Sequence, residues 1–65
     1  MKTLAETLPE EIKRNQELKA VYDLIPTGFF GASIIKADID EGIDALASGD
    51  VIRMLKAYEK LKDNE

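Results

Sequence analysis

Two glycine-containing breaks, Ile25-Pro26-Thr27-Gly28 and Ser48-Gly49-Asp50, divide this chain into three segments, each with the apolar spacing of a helix. Proline bars the helical region for the residue before it, and glycine readily takes a positive φ, so neither break continues a helix. The expected fold is all-α, a helical hairpin plus a C-terminal helix over 8–25, 29–48 and 51–62, forming one domain across 1–65. There is no internal repeat and no low-complexity linker.

Thr7-Leu8-Pro9-Glu10 has the spacing of a capping box, which predicts that the first helix starts there with Thr7 as N-cap. At about 100° per residue, Leu4, Leu8, Ile12, Leu18, Tyr22 and Ile25 share one broad face. Asn15 and Glu11 lie on that face as well. The second segment carries two apolar stripes, Ala32, Ile35, Ile39, Ile43 and Leu46 on one side and Phe30, Ile34 and Ala37 nearly opposite, which implies two neighbours. Gly31 and Gly42 project to nearly the same side and would admit another helix at close range. Gly49 suits a left-handed C-cap and Asp50 the N-cap of the third helix, whose inner face is read as Val51, Met54, Leu55, Tyr58 and Leu61. Asp63-Asn64-Glu65 is expected to fray.

Sixty-five residues bury only about 60% of their unfolded surface, so a chain of this size commonly needs a staple or a partner. The sequence contains neither Cys nor His, which excludes disulfides, thiolate chemistry, imidazole bases and ordinary zinc sites. Self-association is the staple that remains, and a homo-oligomer is expected. Its interface is assigned to Phe30, Ile34 and Ala37.

Charge is divided unevenly, with net −1 over residues 1–25, −4 over 26–50 and +1 over 51–65. The overall −4 argues against duplex nucleic acid, whose binding depends on phosphate neutralisation. A helix-turn-helix reader would need a basic recognition helix, and the third segment begins instead with apolar Val51-Ile52. No apolar run approaches the roughly 20 residues that cross a bilayer. Met1-Lys2-Thr3-Leu4-Ala5-Glu6 acquires an acid at once and does not read as a secretory signal, so a cytoplasmic location is expected.

The candidate binding residues fall in two groups. Thr27, Gly28, Phe29, Gly31 and Ser33 gather glycines, hydroxyls and an aromatic ring at a helix N-terminus, where unpaired N–H groups and the helix dipole favour an anion, with Lys36 further along. The same residues can equally form a tight turn, with Thr27 as N-cap and the phenylalanines in the core. Neither the P-loop nor the dinucleotide pattern is present. Arg14 and Asn15 are the second group. An amide in an apolar stripe must be satisfied by a ligand or by a contact that sets helix pairing. Asp38, Asp40, Glu41 and Asp44 do not match a calcium loop and read as a solvated acidic face. No catalytic constellation, metal site or cofactor is expected.

The strings Ile25-Pro26-Thr27-Gly28-Phe29-Phe30-Gly31-Ala32 and Ser48-Gly49-Asp50-Val51-Ile52-Arg53-Met54-Leu55-Lys56-Ala57-Tyr58 resemble the short acidic helical proteins of tailed phages and prophages. In size and helical make-up the chain is also similar to phage sponge proteins, which oligomerise and sequester cyclic oligonucleotide signals of bacterial immunity. That resemblance implies a non-enzymatic counter-defence protein binding a nucleotide-like molecule between chains. Arg14, Asn15, Lys36 and Arg53 would meet phosphates, the Thr27 to Gly31 backbone would donate N–H groups, and Phe29 or Tyr22 would stack. The competing expectation is a protein-binding module that docks Phe30, Ile34 and Ala37 on a host or phage protein.

Overall fold

Helix α1 spans Leu4–Asp23, so it begins four residues before the predicted N-cap. The computed structural model describes residues 2–65. Thr3, in extended backbone at φ −84° and ψ 164°, caps the helix, and its carbonyl accepts from the N–H groups of Glu6 (3.0 Å) and Thr7 (2.9 Å). Thr3 and Glu6 have the same spacing as Thr7 and Glu10, and the Thr3 hydroxyl donates to Glu6 Oε1 at 3.3 Å. The earlier start brings Leu4 onto the core and lets Lys2 pair with Glu10 at 2.6 Å. Pro9 therefore lies inside the helix, on its exposed side, where the hydrogen bond it removes leaves the Ala5 carbonyl to water. At the other end α1 stops at Asp23 rather than residue 25. The N–H groups of Leu24 and Ile25 turn back to the carbonyls of Val21 and Tyr22, both at 3.1 Å, ahead of Pro26.

Helix α2, Phe29–Ser48, has the expected bounds. Gly49 closes it at φ 71°, and Asp50 caps α3, Val51–Asp63, by accepting from the N–H groups of Ile52 at 3.0 Å and Arg53 at 3.2 Å. Replacing Asp50 with alanine is expected to remove about 1 kcal/mol. For a domain of this size that appears as a fall in Tm of about 4–8 °C in a thermal melt, and an unchanged Tm would show the cap to be without effect.

The core joins Leu8 and Ile12 of α1, Ala32, Ile35, Ile39 and Ala45 of α2, and Met54, Ala57 and Leu61 of α3. Two expected faces are rotated from their predicted positions. Ile43 is 45% exposed and Gly42 is buried in its place, while Val51 (66%) and Leu55 (47%) lie outside and Ala57 lies inside. Each helix here meets two neighbours, and on α2 and α3 small residues, Gly42, Ala45 and Ala57, take up buried positions between them. A Cβ at Gly42 would stand 3.0 Å from Leu61 Cδ1 and 3.2 Å from Ile12 Cγ1. A Cβ at Gly31 would stand 2.6 Å from two ring atoms of Tyr22. The close approach expected at both glycines is realised within one chain.

Helix lengths decide what this core leaves bare. Helices α1 and α2 have 20 residues each and α3 has 13, or about 30 Å against about 20 Å. Because α3 starts at the α2–α3 turn, about 10 Å of the α1–α2 hairpin projects beyond its C-terminal end. That end carries Val21, Leu24 (84% exposed), Ile25, Phe29 (79%), Phe30 (75%) and Ile34. No helix among the described residues is long and apolar enough to cross a membrane.

Candidate functional site

The last turn of α3 is tied to α1 rather than frayed. Leu61 presents a carbonyl that α3 itself cannot satisfy in a full helical turn, and three donors converge on it: Arg14 Nη2 at 2.7 Å, Asn15 Nδ2 at 3.0 Å and the Asn64 N–H at 3.2 Å. The Arg14 charge thereby lies at the negative end of the α3 dipole. Asn15 is fully buried, and its amide is complete: Nδ2 also donates to the Glu11 carbonyl at 2.8 Å, and Oδ1 accepts from Asn64 Nδ2 at 3.0 Å. Asn64 reaches on to Asp38 Oδ2 at 3.0 Å, and the Tyr22 hydroxyl donates to the Glu65 carbonyl. The predicted contact at Asn15 is thus made between helices of one chain, and the expected fraying of 63–65 is prevented by it.

The remaining cations predicted to meet a ligand each hold a carboxylate. Arg53 forks onto Glu41 through Nε at 2.7 Å and Nη2 at 2.9 Å. Those hydrogen bonds, with the attraction of the guanidinium, hold the Glu41 carboxyl below its ordinary value. The sign follows from linkage: this pair stabilises the fold fully above the ordinary carboxylate range, and its contribution is lost as pH falls through the lowered Glu41 value. Lys36 donates to Asp40 Oδ2 at 2.7 Å, and that bond, then the carboxylate charge, raises its ammonium pKa. Arg14 Nε also donates to Glu11 Oε2 at 2.7 Å.

Two clefts open beside the projecting end. The first, of about 200 Å³, lies between α2 and the end of α3 and is lined by Tyr22, Gly31, Ile34, Ile35 and residues 63–65. The second, of about 170 Å³, lies on the opposite side of α2 and is lined by Lys19, Asp23, Phe29, Ala32, Ser33 and Lys36. Organic ligands usually fill about 300–1,000 Å³, so each cleft holds a ring or a single functional group, not a nucleotide.

The predicted ligand residues are consequently separated. Tyr22 and Gly31 line the first cleft, and Phe29, Ser33 and Lys36 line the second. Arg14 and Asn15 serve the end of α3, and Arg53 serves Glu41. Thr27 lies exposed in the turn; Gly28, not Thr27, is the N-cap of α2, and the Ser33 hydroxyl turns inward to the Phe29 carbonyl at 3.0 Å. Phe29 and Phe30 are outside the core that one reading gave them, whereas Phe30, Ile34 and Ala37 are all exposed, as an interface stripe must be. Sequence reasoning missed Val21, Leu24 and Ile25 as members of this surface. The signal for them was the shortness of the third segment.

No family model matches the chain, and no significant similarity to a curated protein or to a solved structure is found.

Proposed function

We propose that this chain is a non-enzymatic interaction module whose working surface is the projecting α1–α2 end. The observation that carries this reading is the bare apolar group of Val21, Leu24, Ile25, Phe29, Phe30 and Ile34 beyond the end of α3. Monomeric proteins seldom leave contiguous apolar patches larger than a few hundred Å² without a partner. The two phenylalanines are the natural anchors, since large rings in a small apolar patch dominate interface energetics. In the phage setting implied by the sequence resemblance, the module would dock on a host or phage protein and block it. A bait experiment tests this: a protein bound stoichiometrically by the wild type and by Lys56→Glu should be lost, by at least tenfold in affinity, from Phe29→Asp. Equal retention by all three baits removes the apolar end from the interaction.

Sequestration of a nucleotide-like molecule is the second reading, favoured by one observation. Phe29, Ser33, Lys19 and Lys36 line a single cleft with Asp23, so a ring and two ammonium groups lie together, and a ligand held there with a second chain would take over the ammonium groups from Asp23 and Asp40. Binding of this kind raises Tm by mass action, and a panel of cyclic and linear nucleotides that leaves Tm unmoved ends the proposal.

A further inference from the structure

We propose that the Phe30 side of the projecting end is covered by a second copy of this chain, in a two-fold dimer in which each Phe30 ring enters the partner copy's Tyr22–Gly31–Ile34 cleft. This names one partner of the interaction surface above and rests on that reading. Four observations converge on it.

The first is fit. The cleft, open to solvent and walled on one side by residues 63–65, has a volume of about 200 Å³, room for a phenyl ring. The second is the chemistry of its floor. Because Gly31 has no side chain, the edge of the Tyr22 ring packs against α2 there, and an entering phenyl ring meets Tyr22 beside Ile34 and Ile35. The third is reciprocity. Phe30, 75% exposed, immediately precedes Gly31 and stands one turn before Ile34, so knob and hole are neighbours on one surface. A two-fold axis beside Phe30 therefore satisfies both copies with the same contact, as an isologous interface requires.

The fourth is area. Val21, Leu24, Ile25, Phe30 and Ile34 together expose on the order of 500 Å². A symmetric contact over that surface buries about 1,000–1,200 Å² in total, the lower end of specific interfaces, and implies a dimer that dissociates at micromolar concentration.

Phe29 is left free by this arrangement. It projects about 100° from Phe30, toward the cleft of Lys19 and Lys36, so a dimer presents two copies of that surface to further partners.

Sedimentation equilibrium from micromolar to several hundred micromolar reads the proposal directly. The wild type should move from 7.2 kDa toward twice that mass. Phe30→Asp should weaken the association at least tenfold with an unchanged helical circular-dichroism spectrum, while Lys56→Glu, exposed on α3, should leave it unaltered. If Phe30→Asp does not fold, benzoylphenylalanine in place of Phe30 serves instead, and its photoproduct should be a covalent dimer joined to the peptide carrying Tyr22 or Ile34. A wild type that stays monomeric throughout, a dimer indifferent to Phe30→Asp, or a photoproduct joined elsewhere overturns the proposal. Because Phe29→Asp is scored by capture and Phe30→Asp by mass, the dimer and the interaction module fail separately.

Discussion

Replacing Asn15 with aspartate is expected to unfold most of the protein at neutral pH and to leave a recoverable fold under mild acid. In the native chain Asn15 Nδ2 donates to two carbonyl oxygens, those of Glu11 and Leu61, from a fully buried position. Aspartate places an acceptor oxygen where that donor stood, so three oxygens face one another, and a charge is buried whose nearby cation, Arg14, is already bound to the Leu61 carbonyl and to Glu11. The loss should be about 3–5 kcal/mol, comparable with the whole stability of about 3–10 kcal/mol for a domain of this length. Burial raises the carboxyl pKa of the folded variant above its unfolded value of about 3.9, so the folded state binds the extra proton in that window. Stability of the variant therefore falls as pH rises from about 4 through the raised value, and stays low above it. Urea melts of Asn15→Asp against wild type between pH 4 and 7 measure this. A loss that is the same at every pH would show that the carboxylate finds donors in the fold. Asn15→Leu should be milder, about 1–3 kcal/mol, because Leu61 keeps Arg14 and the Asn64 N–H, and Asn64 keeps Asp38.

Leu61→Ala should be about as damaging by a different route. Leu61 is fully buried and reaches the surface of Gly42, where no side chain can fill the space it vacates. Truncation loses transfer free energy and leaves a cavity, together about 2–5 kcal/mol, which is a fall of at least about 8 °C in Tm at about 4–8 °C per kcal/mol. Leu55→Ala, at a position 47% exposed, should change Tm by only a few degrees. The comparison is sharp because helical spacing alone assigns both leucines to the same inner face. Similar Tm losses for the two would mean that α3 is rotated from the position described.

Several features of the fold were legible residue by residue. Pro26, Gly28, Gly49 and Asp50 act through backbone rules that reach only a few residues, and the bounds of α2 and the start of α3 follow from them. Gly31 and Gly42 were legible as sites of close approach, though not what approaches. The start of α1 was not, because Thr3 and Thr7 offer the same capping spacing, and the choice between them is made by Leu4 packing on the core and by the Lys2–Glu10 pair. The candidate ligand set was the least legible part. Arg14, Lys36 and Arg53 are cations of the right type, yet Lys36 is engaged by Asp40 one turn on in its own helix, and Arg14 and Arg53 by acceptors that are invisible until the helices are assembled.

By itself, then, the sequence determined the helical class, the two breaks and the caps at Gly49 and Asp50, since all of these depend on local backbone chemistry or on composition. Only the tertiary structure decided which arc of each helix faces inward, where Asn15 finds its partners, and which apolar residues remain bare. These depend on the rotation of helices about their axes and on the difference in length between α3 and its two neighbours. Phe30 shows the distinction: its spacing puts it on an apolar stripe, but only the assembled helices show that the stripe of Phe30, Ile34 and Ala37 is left uncovered by both α1 and α3.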